Sequence, residues 1–344
     1  MPDAVIVSAC RTPIGRFLGG LSSFSAPQLG SLAIKEALKR ANLEGKDVEE
    51  VIMGNVLQAG LGQNPARQAQ LGADIPPEAG AFTVNKVCGS GLKAVMLAAN
   101  EIRLGQAECI VAGGQESMSN APYLAKGVRT GLRLGDGKLV DAMVWDGLWD
   151  VYNDFHMGNT GELIAERCSV SREEMDAYAV ESHQRAAKAA EIGHFKDEMF
   201  PIEVKGRKGK VTIVDADEGV RDDASMEGMA KLKPAFRKDG TVTAANASQL
   251  SDGASALVIM SDELAKKKGL EPLARITNYT TGGVEPKWVM YAPVIAIDKL
   301  MKMEGKKVAD YDLVELNEAF ASAACGVTKD SGLIPERTNI HGGA

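Results

Sequence analysis

The chain has 344 residues, enough for two or three domains of about 150 residues, and its 45% hydrophobic and 25% charged content is typical of a globular enzyme. A net charge of -7 excludes a general nucleic-acid-binding protein, which would present a basic face. The N-terminus has no basic leader and no window approaches about 18 uninterrupted apolar residues, so we expect neither a signal peptide nor a membrane span. Five cysteines without C-x-x-C or zinc-ligand spacing indicate reduced thiols, and hence a cytoplasmic protein.

Strand-like and helix-like segments alternate along the chain, which is the pattern of an α/β protein. Short apolar runs predict strands over residues 5–8, 51–53, 82–87, 109–112, 256–260 and 313–316. Apolar residues at helical spacing predict helices over residues 29–41 and 92–104. Ser171 and Glu174 have the spacing of a capping box and predict the start of a third helix. The predicted 109–112 strand ends at Gly113-Gly114.

Cys88 lies where the predicted 82–87 strand gives way to the predicted 92–104 helix. At such a junction the free backbone N–H groups and the positive end of the helix dipole favour a thiolate, which is a nucleophile. Gly89 and Gly91 let backbone donors approach whatever the sulfur attacks. The alternative is a buried cysteine that acts as a small hydrophobic residue, and the local pattern alone leaves both interpretations open.

A weak internal repeat is present, in which a helix leads to an aspartate and then to a short apolar strand. One ungapped shift aligns Ala33 with Ala296, Ile34 with Ile297, Lys39 with Lys302, Asp47 with Asp310 and Val51 with Val314. Such a repeat predicts two related α/β halves. Under the same shift the counterpart of Cys88 falls beyond Ala344, which predicts a second half that is truncated.

The middle of the chain has the composition of an inserted domain of helices and long loops. We therefore expect an N-terminal half over residues 1–118, completed by about 247–270, an inserted domain over 119–246 and an incomplete C-terminal half over 271–344. In an acidic protein, a basic cluster in that domain can receive a phosphorylated small molecule, although a solvated loop is the alternative. The basic residues are Lys205, Arg207, Lys208, Lys210, Arg221, Lys231, Lys233, Arg237 and Lys238.

Four further segments carry polar groups that chemistry could use. They are His156-Met157-Gly158, residues 246–254, Asn317-Glu318-Ala319-Phe320 and Asn339-x-x-Gly342-Gly343. A lone histidine is often structural, and a polar loop is often only a turn. Asn317 follows the predicted 313–316 strand, where α/β proteins place ligand groups, but it can equally cap a helix.

Taken together, these motifs resemble the thiolase family, and the resemblance runs from Ser8-Ala9-Cys10-Arg11 to Ala344. The most specific match is Val84-Asn85-Lys86-Val87-Cys88-Gly89-Ser90-Gly91, followed by Ala112-Gly113-Gly114-Gln115-Glu116-Ser117-Met118-Ser119. The resemblance implies a thiolase-like five-layered α-β-α-β-α core of two similar halves, with an inserted loop domain that binds coenzyme A. It also implies Claisen condensation of two acetyl-CoA to acetoacetyl-CoA and CoA, and the reverse thiolysis, through an acyl-Cys88 intermediate.

The same resemblance assigns roles to single residues. Cys88 is the nucleophile, and Asn317 holds a water that, with a histidine, stabilises the enolate. His156 and Met157 line the acyl pocket, and Arg221 binds the nucleotide end, because a guanidinium stacks on rings and binds phosphate. The remaining contacts to the pantetheine, adenine or acyl part are Leu148, Phe236, Ser248, Met290, Ala319 and Phe320. Coenzyme A thioesters are the substrates; no cofactor, metal, nucleic acid or membrane is expected, and the family implies a homodimer or homotetramer.

The chain departs from the family pattern near its C-terminal side. Relatives carry a histidine in a Gly-His-Pro segment and a second cysteine in a Cys-x-Gly loop, and neither Cys325 nor His341 stands in a matching motif. We therefore expect impaired turnover. His156-Met157 with Met290 favours the short-chain acetoacetyl-CoA type over a broader-chain 3-ketoacyl-CoA thiolase. A ketoacyl-synthase-like condensing enzyme, against which Asn317–Phe320 argues, and a non-catalytic acyl-CoA-binding module also stay open.

Overall fold

The computed structural model describes residues 1–206 and 209–343, so Arg207 and Lys208 of the predicted basic cluster lie outside the described residues. The chain forms two compact units, each assembled from three separate stretches of sequence. The first unit comprises Met1–Gly147, Lys196–Gly219 and Leu250–Thr277, and the second comprises Leu148–Phe195, Val220–Gln249 and Asn278–Ala344. Within the described ranges, no helix is long and apolar enough to cross a membrane.

Strands and helices are numbered here in chain order over the described residues. The strands are β1 Ala4–Arg11, β2 Gly15–Arg16, β3 Glu50–Gly54, β4 Gly80–Val84, β5 Cys109–Ser117, β6 Tyr123–Leu124, β7 Val140–Asp141, β8 Trp149–Asp150, β9 Phe155–His156, β10 Ile202–Lys205, β11 Val211–Val214, β12 Ser251–Ser261 and β13 Ala274–Arg275. The α-helices are α1 Ala26–Arg40, α2 Pro65–Gly72, α3 Ser90–Arg103, α4 Met157–Cys168, α5 Arg172–Ile192, α6 Met226–Ala230, α7 Asp262–Lys268, α8 Ala292–Glu304 and α9 Ala321–Ser331.

The first unit is organised around a seven-stranded mixed sheet. Its strand order is β13-β1-β12-β5-β3-β4, and β2 also pairs with β12. β3 runs parallel to both β4 and β5, whereas β12 runs antiparallel to β1 and β5. Parallel pairs require crossover connections, and α2 and α3 supply helices between them in the sequence. This arrangement confirms the predicted α/β class.

Helix α1 packs on this sheet with one apolar face, as its sequence periodicity predicts. Leu29, Ala33, Ile34, Ala37 and Leu38 are all buried, and the helix contacts β12 and β5. Burial of each Leu or Ile side chain contributes about 1.5–3 kcal/mol, so this face holds the helix in place. Its start is set by a capping box at the N-cap residue and by a proline in the first turn.

Strand β5 is longer than the sequence pattern predicts, because it continues through Gly113-Gly114 to Ser117. Its neighbour β12 pairs with it residue by residue from Met260 opposite Cys109 to Asp252 opposite Ser117. A Cβ on Gly113 would lie 2.0 Å from the backbone oxygen of Ser255, so only glycine fits there. The glycine pair therefore allows close pairing and does not end the strand.

The second unit is largely helical within the described part of the chain. Ile164 of α4, Met175 of α5 and Ala321 of α9 meet in one buried cluster. The predicted capping box starts α5: Ser171 donates its backbone N–H to Glu174 Oε2 at 2.6 Å, and Glu174 donates its own to Ser171 Oγ at 3.2 Å. That prediction is confirmed.

The predicted 313–316 strand is wrong as a strand. In the described chain it forms a single parallel bridge, between Val314 and Thr338. A strand is defined by a ladder of hydrogen bonds to a neighbour, and one bridge supplies only two, from Val314 to the Arg337 oxygen and from Asn339 to the Val314 oxygen. The segment is nevertheless extended and leads directly into the Asn317–Phe320 motif.

Candidate active site

Cys88 lies in the turn between β4 and α3, as predicted, and is exposed to solvent. β4 ends at Val84, three residues before the predicted end of the strand, and the first residue of α3 is Ser90 with Gly89 at its N-cap. The other cysteines are buried, apart from the half-buried Cys325. Cys88 is therefore the free cysteine best placed to meet a substrate in the described chain.

Hydrogen bonds within the turn fix the backbone around Cys88. Ser90 Oγ accepts from the backbone N–H of Lys86 at 2.8 Å and donates to the backbone oxygen of Val87 at 2.6 Å. Asn85 Oδ1 accepts from the N–H of Val87 at 3.0 Å. Val87 has φ +50°, a left-handed conformation that costs a β-branched residue about 1–3 kcal/mol. The structure thus holds strain at the residue directly before the nucleophile.

Glycines bring the first turn of α3 close to the sheet. A Cβ on Gly54, at the end of β3, would lie 2.5 Å from the backbone nitrogen of Gly91. Gly91 in turn lies against the backbone of Gly113 and Gly114, where a Cβ placed on Gly91 would come no nearer than 3.6 Å, to the Gly113 oxygen. Sequence reasoning singled out Gly91 but missed Gly54, whose partner is remote in the chain.

The pKa of Cys88 shifts in the direction opposite to the one that an expected thiolate would require. Desolvation raises the pKa of the Cys88 thiol; a backbone N–H opposes this, and the negative charge of Glu116 raises the pKa further. The direction of this shift is opposite to the one expected from the helix terminus, because desolvation is its largest cause. A raised pKa favours the thiol over the thiolate, so an attack by this sulfur would need a group that accepts its proton.

Glu116 is a residue of this site to which the sequence analysis gave no role. Its carboxylate accepts hydrogen bonds from Asn55 Nδ2 at 2.6 Å, from Val56 N at 2.8 Å and from Leu57 N at 3.1 Å. Burial raises the pKa of Glu116, and the three donors oppose that effect. The carboxylate thereby anchors the segment after β3 in the same sheet that carries the Cys88 turn.

Most of the predicted acyl-binding residues gather in one cluster in the second unit. The His156 and Phe236 rings are stacked with centroids 4.8 Å apart, and the Phe236 and Phe320 rings meet edge to face at 6.1 Å. Three more predicted residues pack against Phe320 and the buried Val242: Met157, Met290 and Ala319. The resulting surface is aromatic and thioether-rich, which suits an acyl chain or a pantetheine arm.

His156 is held as a neutral imidazole at the start of α4. Its Nδ1 accepts the backbone N–H of Gly158 at 3.1 Å, and burial lowers the pKa of the ring. Because Nδ1 is an acceptor, the proton of the neutral ring is on Nε2, which can donate to an oxygen. A Cβ on Gly158 would fall 2.2 Å from the Phe236 ring, so the glycine allows this stacking.

Only the first part of the predicted 246–254 loop lies beside the Asn317–Phe320 motif, because β12 already begins at Ser251. Ser248 donates its backbone N–H to the Ala319 oxygen at 3.1 Å, and Ala247 forms a bridge with Phe320. Asn246, 2% exposed, is buried, and its backbone oxygen accepts from Ala321 N at 2.9 Å. Asn317 itself is exposed.

Arg221 and Leu148 lie apart from the aromatic cluster. Arg221 is exposed, and its backbone N–H donates to His183 Nδ1 at 3.2 Å. Burial, followed by the positive charge of Arg221, lowers the pKa of His183, which keeps this ring a neutral acceptor. Leu148 is half-buried and directly precedes β8. Cys88 belongs to the first unit, whereas all the other predicted site residues belong to the second.

An exposed cysteine at a strand-to-helix turn of a mixed α/β sheet can act as the nucleophile of covalent catalysis. The thiolase N-terminal domain model matches residues 4–263, and the thiolase C-terminal domain model matches residues 270–344. The chain therefore belongs to the thiolase family.

Individual relatives agree with this assignment. The chain is 51% identical over 344 residues to an acetyl-CoA acetyltransferase from Pseudomonas aeruginosa, covering 100% of this chain and 88% of that protein. An acetyl-CoA acetyltransferase from Cupriavidus necator is also 51% identical, with the same coverage. Among solved structures, the crystal structure of the Bacillus anthracis acetyl-CoA acetyltransferase is 43% identical, has a TM-score of 0.97, and is matched over 100% of this chain and 86% of that one. The predicted thiolase fold is confirmed.

The predicted truncation of the second half finds no support in these comparisons. The C-terminal domain model matches through residue 344, and the chain spans 88% of the length of the Pseudomonas relative. The expectation that the chain lacks the C-terminal histidine and cysteine motifs, and that its turnover is therefore impaired, is equally unsupported.

Proposed function

We propose that this chain condenses two molecules of acetyl-CoA to acetoacetyl-CoA and CoA, and catalyses the reverse thiolysis, through an acetyl group carried on Cys88. The observation that carries the proposal is an exposed cysteine in a backbone-fixed turn at the head of α3, in a member of the thiolase family. The names of the relatives, acetyl-CoA acetyltransferases at 51% identity, support acetyl-CoA as the substrate.

In the first half-reaction the Cys88 sulfur attacks the thioester carbonyl of acetyl-CoA. A new carbon–sulfur bond forms, the bond to coenzyme A breaks, and the proton of the Cys88 thiol leaves with the departing CoA. Because the pKa of Cys88 is raised, proton transfer is part of this step. The backbone N–H of Cys88 is our candidate donor to the oxyanion that forms.

In the second half-reaction a second acetyl-CoA loses a proton from its methyl group, and the resulting enolate attacks the acetyl group on Cys88. The new carbon–carbon bond forms as the carbon–sulfur bond to Cys88 breaks, and the proton taken from the methyl group ends on the released Cys88 sulfur, which restores the thiol. Asn317 is proposed to hold the water that stabilises the enolate oxygen, and its exposure leaves its amide available for that contact. His156 and Met157 are proposed to line the acyl group.

Coenzyme A is proposed to bind through the 119–246 loop domain of our sequence-based division, of which residues 148–195 and 220–246 belong to the second unit. Arg221 is assigned to the nucleotide end, where an exposed guanidinium can contact phosphate. The pantetheine and acyl contacts are assigned to Leu148, Phe236, Ser248, Met290, Ala319 and Phe320. The stacked and packed geometry around Phe236 supports the assignment of four of these.

We also propose a homodimer or homotetramer in the cytoplasm, with no cofactor besides the thioester substrates. Five free cysteines among the described residues support a reducing compartment.

The test is acetylation followed by condensation. Incubated with acetyl-CoA, the protein should gain one acetyl group by intact mass, and the Cys88→Ser variant should gain none. The same preparation should then release CoA and acetoacetyl-CoA. A folded wild-type protein that gains no acetyl group would contradict the proposal and favour a non-catalytic acyl-CoA-binding module.

A further inference from the structure

We propose that Glu318 and Asn339 form a clamp that positions Asn317 for the second half-reaction. The inference rests on the proposed function and extends it to two residues outside the assigned site. Asn317 is exposed, and among the described residues no hydrogen bond holds its side chain. The position of Asn317 must therefore be set through the backbone. Of its two chain neighbours, Leu316 is hydrogen-bonded to Asn339, and Glu318 is itself part of the clamp.

Asn339 contacts the residues on either side of Asn317. Its Oδ1 accepts from Leu316 N at 2.7 Å, and its Nδ2 donates to Leu316 O at 2.8 Å and to Glu318 Oε1 at 2.7 Å. Asn339 is 2% exposed, so these bonds are shielded from water. Its φ of +47° is a left-handed conformation that asparagine tolerates better than most residues.

Glu318 connects the motif to α5. It is 5% exposed, and its carboxylate accepts from Tyr178 Oη at 2.9 Å and from Ser182 Oγ at 2.6 Å, besides Asn339. Burial and then the charge of Glu318 raise the pKa of Tyr178, which therefore remains a neutral donor. A buried carboxylate with three donors is fully satisfied and rigid. Replacing it leaves those donors unpaired.

The clamp fixes the backbone on both sides of Asn317 and leaves its amide available to donate. An electrostatic stabiliser must be in place before charge develops, because reorganisation during the reaction costs catalysis. Leu316 is fixed by a two-way bond with Asn339, and Glu318 by three donors, so the peptide groups around Asn317 have little freedom. Glu318 and Asn339 are thus positioning residues that act through Asn317.

The proposal predicts a split between the two half-reactions. In Glu318→Gln and in Asn339→Gly, which retains the left-handed backbone, condensation should slow about 100-fold while Cys88 acetylation stays within about twofold of wild type. Asp217→Asn is the matched control: it removes another well-bonded carboxylate, one that accepts from Arg11 and Ile14, and should leave the ratio of the two rates unchanged.

Two outcomes would overturn the proposal. One is a ratio of condensation rate to acetylation rate that equals the wild-type ratio in both folded variants, and the other is an equal loss of acetylation and condensation. If a variant does not fold, Ser182→Ala removes one donor only and should show a smaller loss in condensation alone. The double variant Asn317→Ala/Glu318→Gln should be no slower than Asn317→Ala, and additive losses would contradict the mechanism. Failure of wild-type acetylation would instead reject the proposed function.

Discussion

Desolvation raises the pKa of the Cys88 thiol, and the Glu116 carboxylate raises it further. This shift favours the thiol over the thiolate. The turn contributes position, since Val87 has a left-handed backbone and Ser90 Oγ both accepts and donates a hydrogen bond. Positioning of this kind contributes to catalysis because it lowers the entropic cost of bringing the reacting atoms together. The proton must leave the sulfur during the attack.

The raised pKa of Cys88 can be tested by alkylation. Below its pKa, the thiolate fraction grows about tenfold with each pH unit, so the rate of iodoacetamide labelling should still be rising at and above pH 9. The ordinary thiol value is 9.0, and the shift is upward. Labelling would be followed by intact mass, with Cys88→Ser as the background. A rate that levels off below about pH 8 would contradict the resting thiol.

At the residue scale, sequence reasoning found what is local and missed what is remote. Cys88 was recognisable because strand, thiol and small residues are neighbours in the chain. Glu318 was quoted only as part of a motif, since its donor Tyr178 is 140 positions away. The role of Glu116 was missed for the same reason, because its three donors lie directly after β3, about 60 positions earlier in the chain.

At the scale of elements, β3 and the first turn of α3 approach each other more closely than side chains allow. Gly54 and Gly91 lie backbone to backbone, which places the turn carrying Cys88 beside the ends of β3 and β5. The glycine at the end of β3, Gly54, thus helps to determine the position of Cys88. The geometry of the turn that carries Cys88 is therefore set partly by a residue of the neighbouring strand.

Gly54→Ala should disrupt this approach. Its Cβ would lie 2.5 Å from backbone atoms of Ser90 and Gly91, and backbone cannot move aside, so we expect a loss of about 1–3 kcal/mol in unfolding free energy. Urea unfolding followed by circular dichroism measures it. Gly91→Ala is the matched control: its Cβ meets nothing nearer than 3.6 Å and should change stability by less than about 1 kcal/mol. Equal effects of the two changes would contradict the packing argument.

Element prediction succeeded where the signal is written into the element itself. The periodicity of α1 and the capping box of α5 need no distant partner, and both were predicted correctly. The extent of β5 was not, because its glycines are read correctly only once β12 is known to lie against them. The 313–316 segment failed for the converse reason: an apolar extended run becomes a strand only beside a neighbour that pairs along its length.

At the scale of the whole molecule, neither unit is a continuous piece of chain. In the first unit, the stretch Lys196–Gly219 returns to β1 and is fastened there by Arg11. The Arg11 guanidinium pairs with Asp217 at 2.7 Å and with Glu198 at 2.6 Å, and Asp217 also accepts from Ile14 N. No sequence pattern predicts the pairing of Arg11 with Asp217 and Glu198, because these residues are about two hundred positions apart and only the fold brings them together.

Arg11→Met should therefore destabilise the molecule more than an ordinary charge deletion. The Arg11 and Asp217 side chains are only 18% and 15% exposed, so the variant leaves a poorly solvated carboxylate unpaired and should cost about 2–3 kcal/mol. Lys231→Met is the control, since its pair with Glu227 is 70% and 85% exposed and contributes less than about 1 kcal/mol. Both values come from urea midpoints at neutral pH. A cost for Arg11→Met no larger than that of the control would show that the fastening is unimportant.

The protonated state of Cys88 between turnovers also affects how the protein ages. Peroxide converts thiolates to sulfenic acid and then to irreversible acids, and exposed low-pKa cysteines are consumed first. Cys88 is exposed, yet desolvation of its sulfur and the charge of Glu116 raise the pKa of the thiol. Oxidative damage at Cys88 should thus be slow while no substrate is bound, because the desolvation that raises the pKa of the thiol also lowers its thiolate fraction.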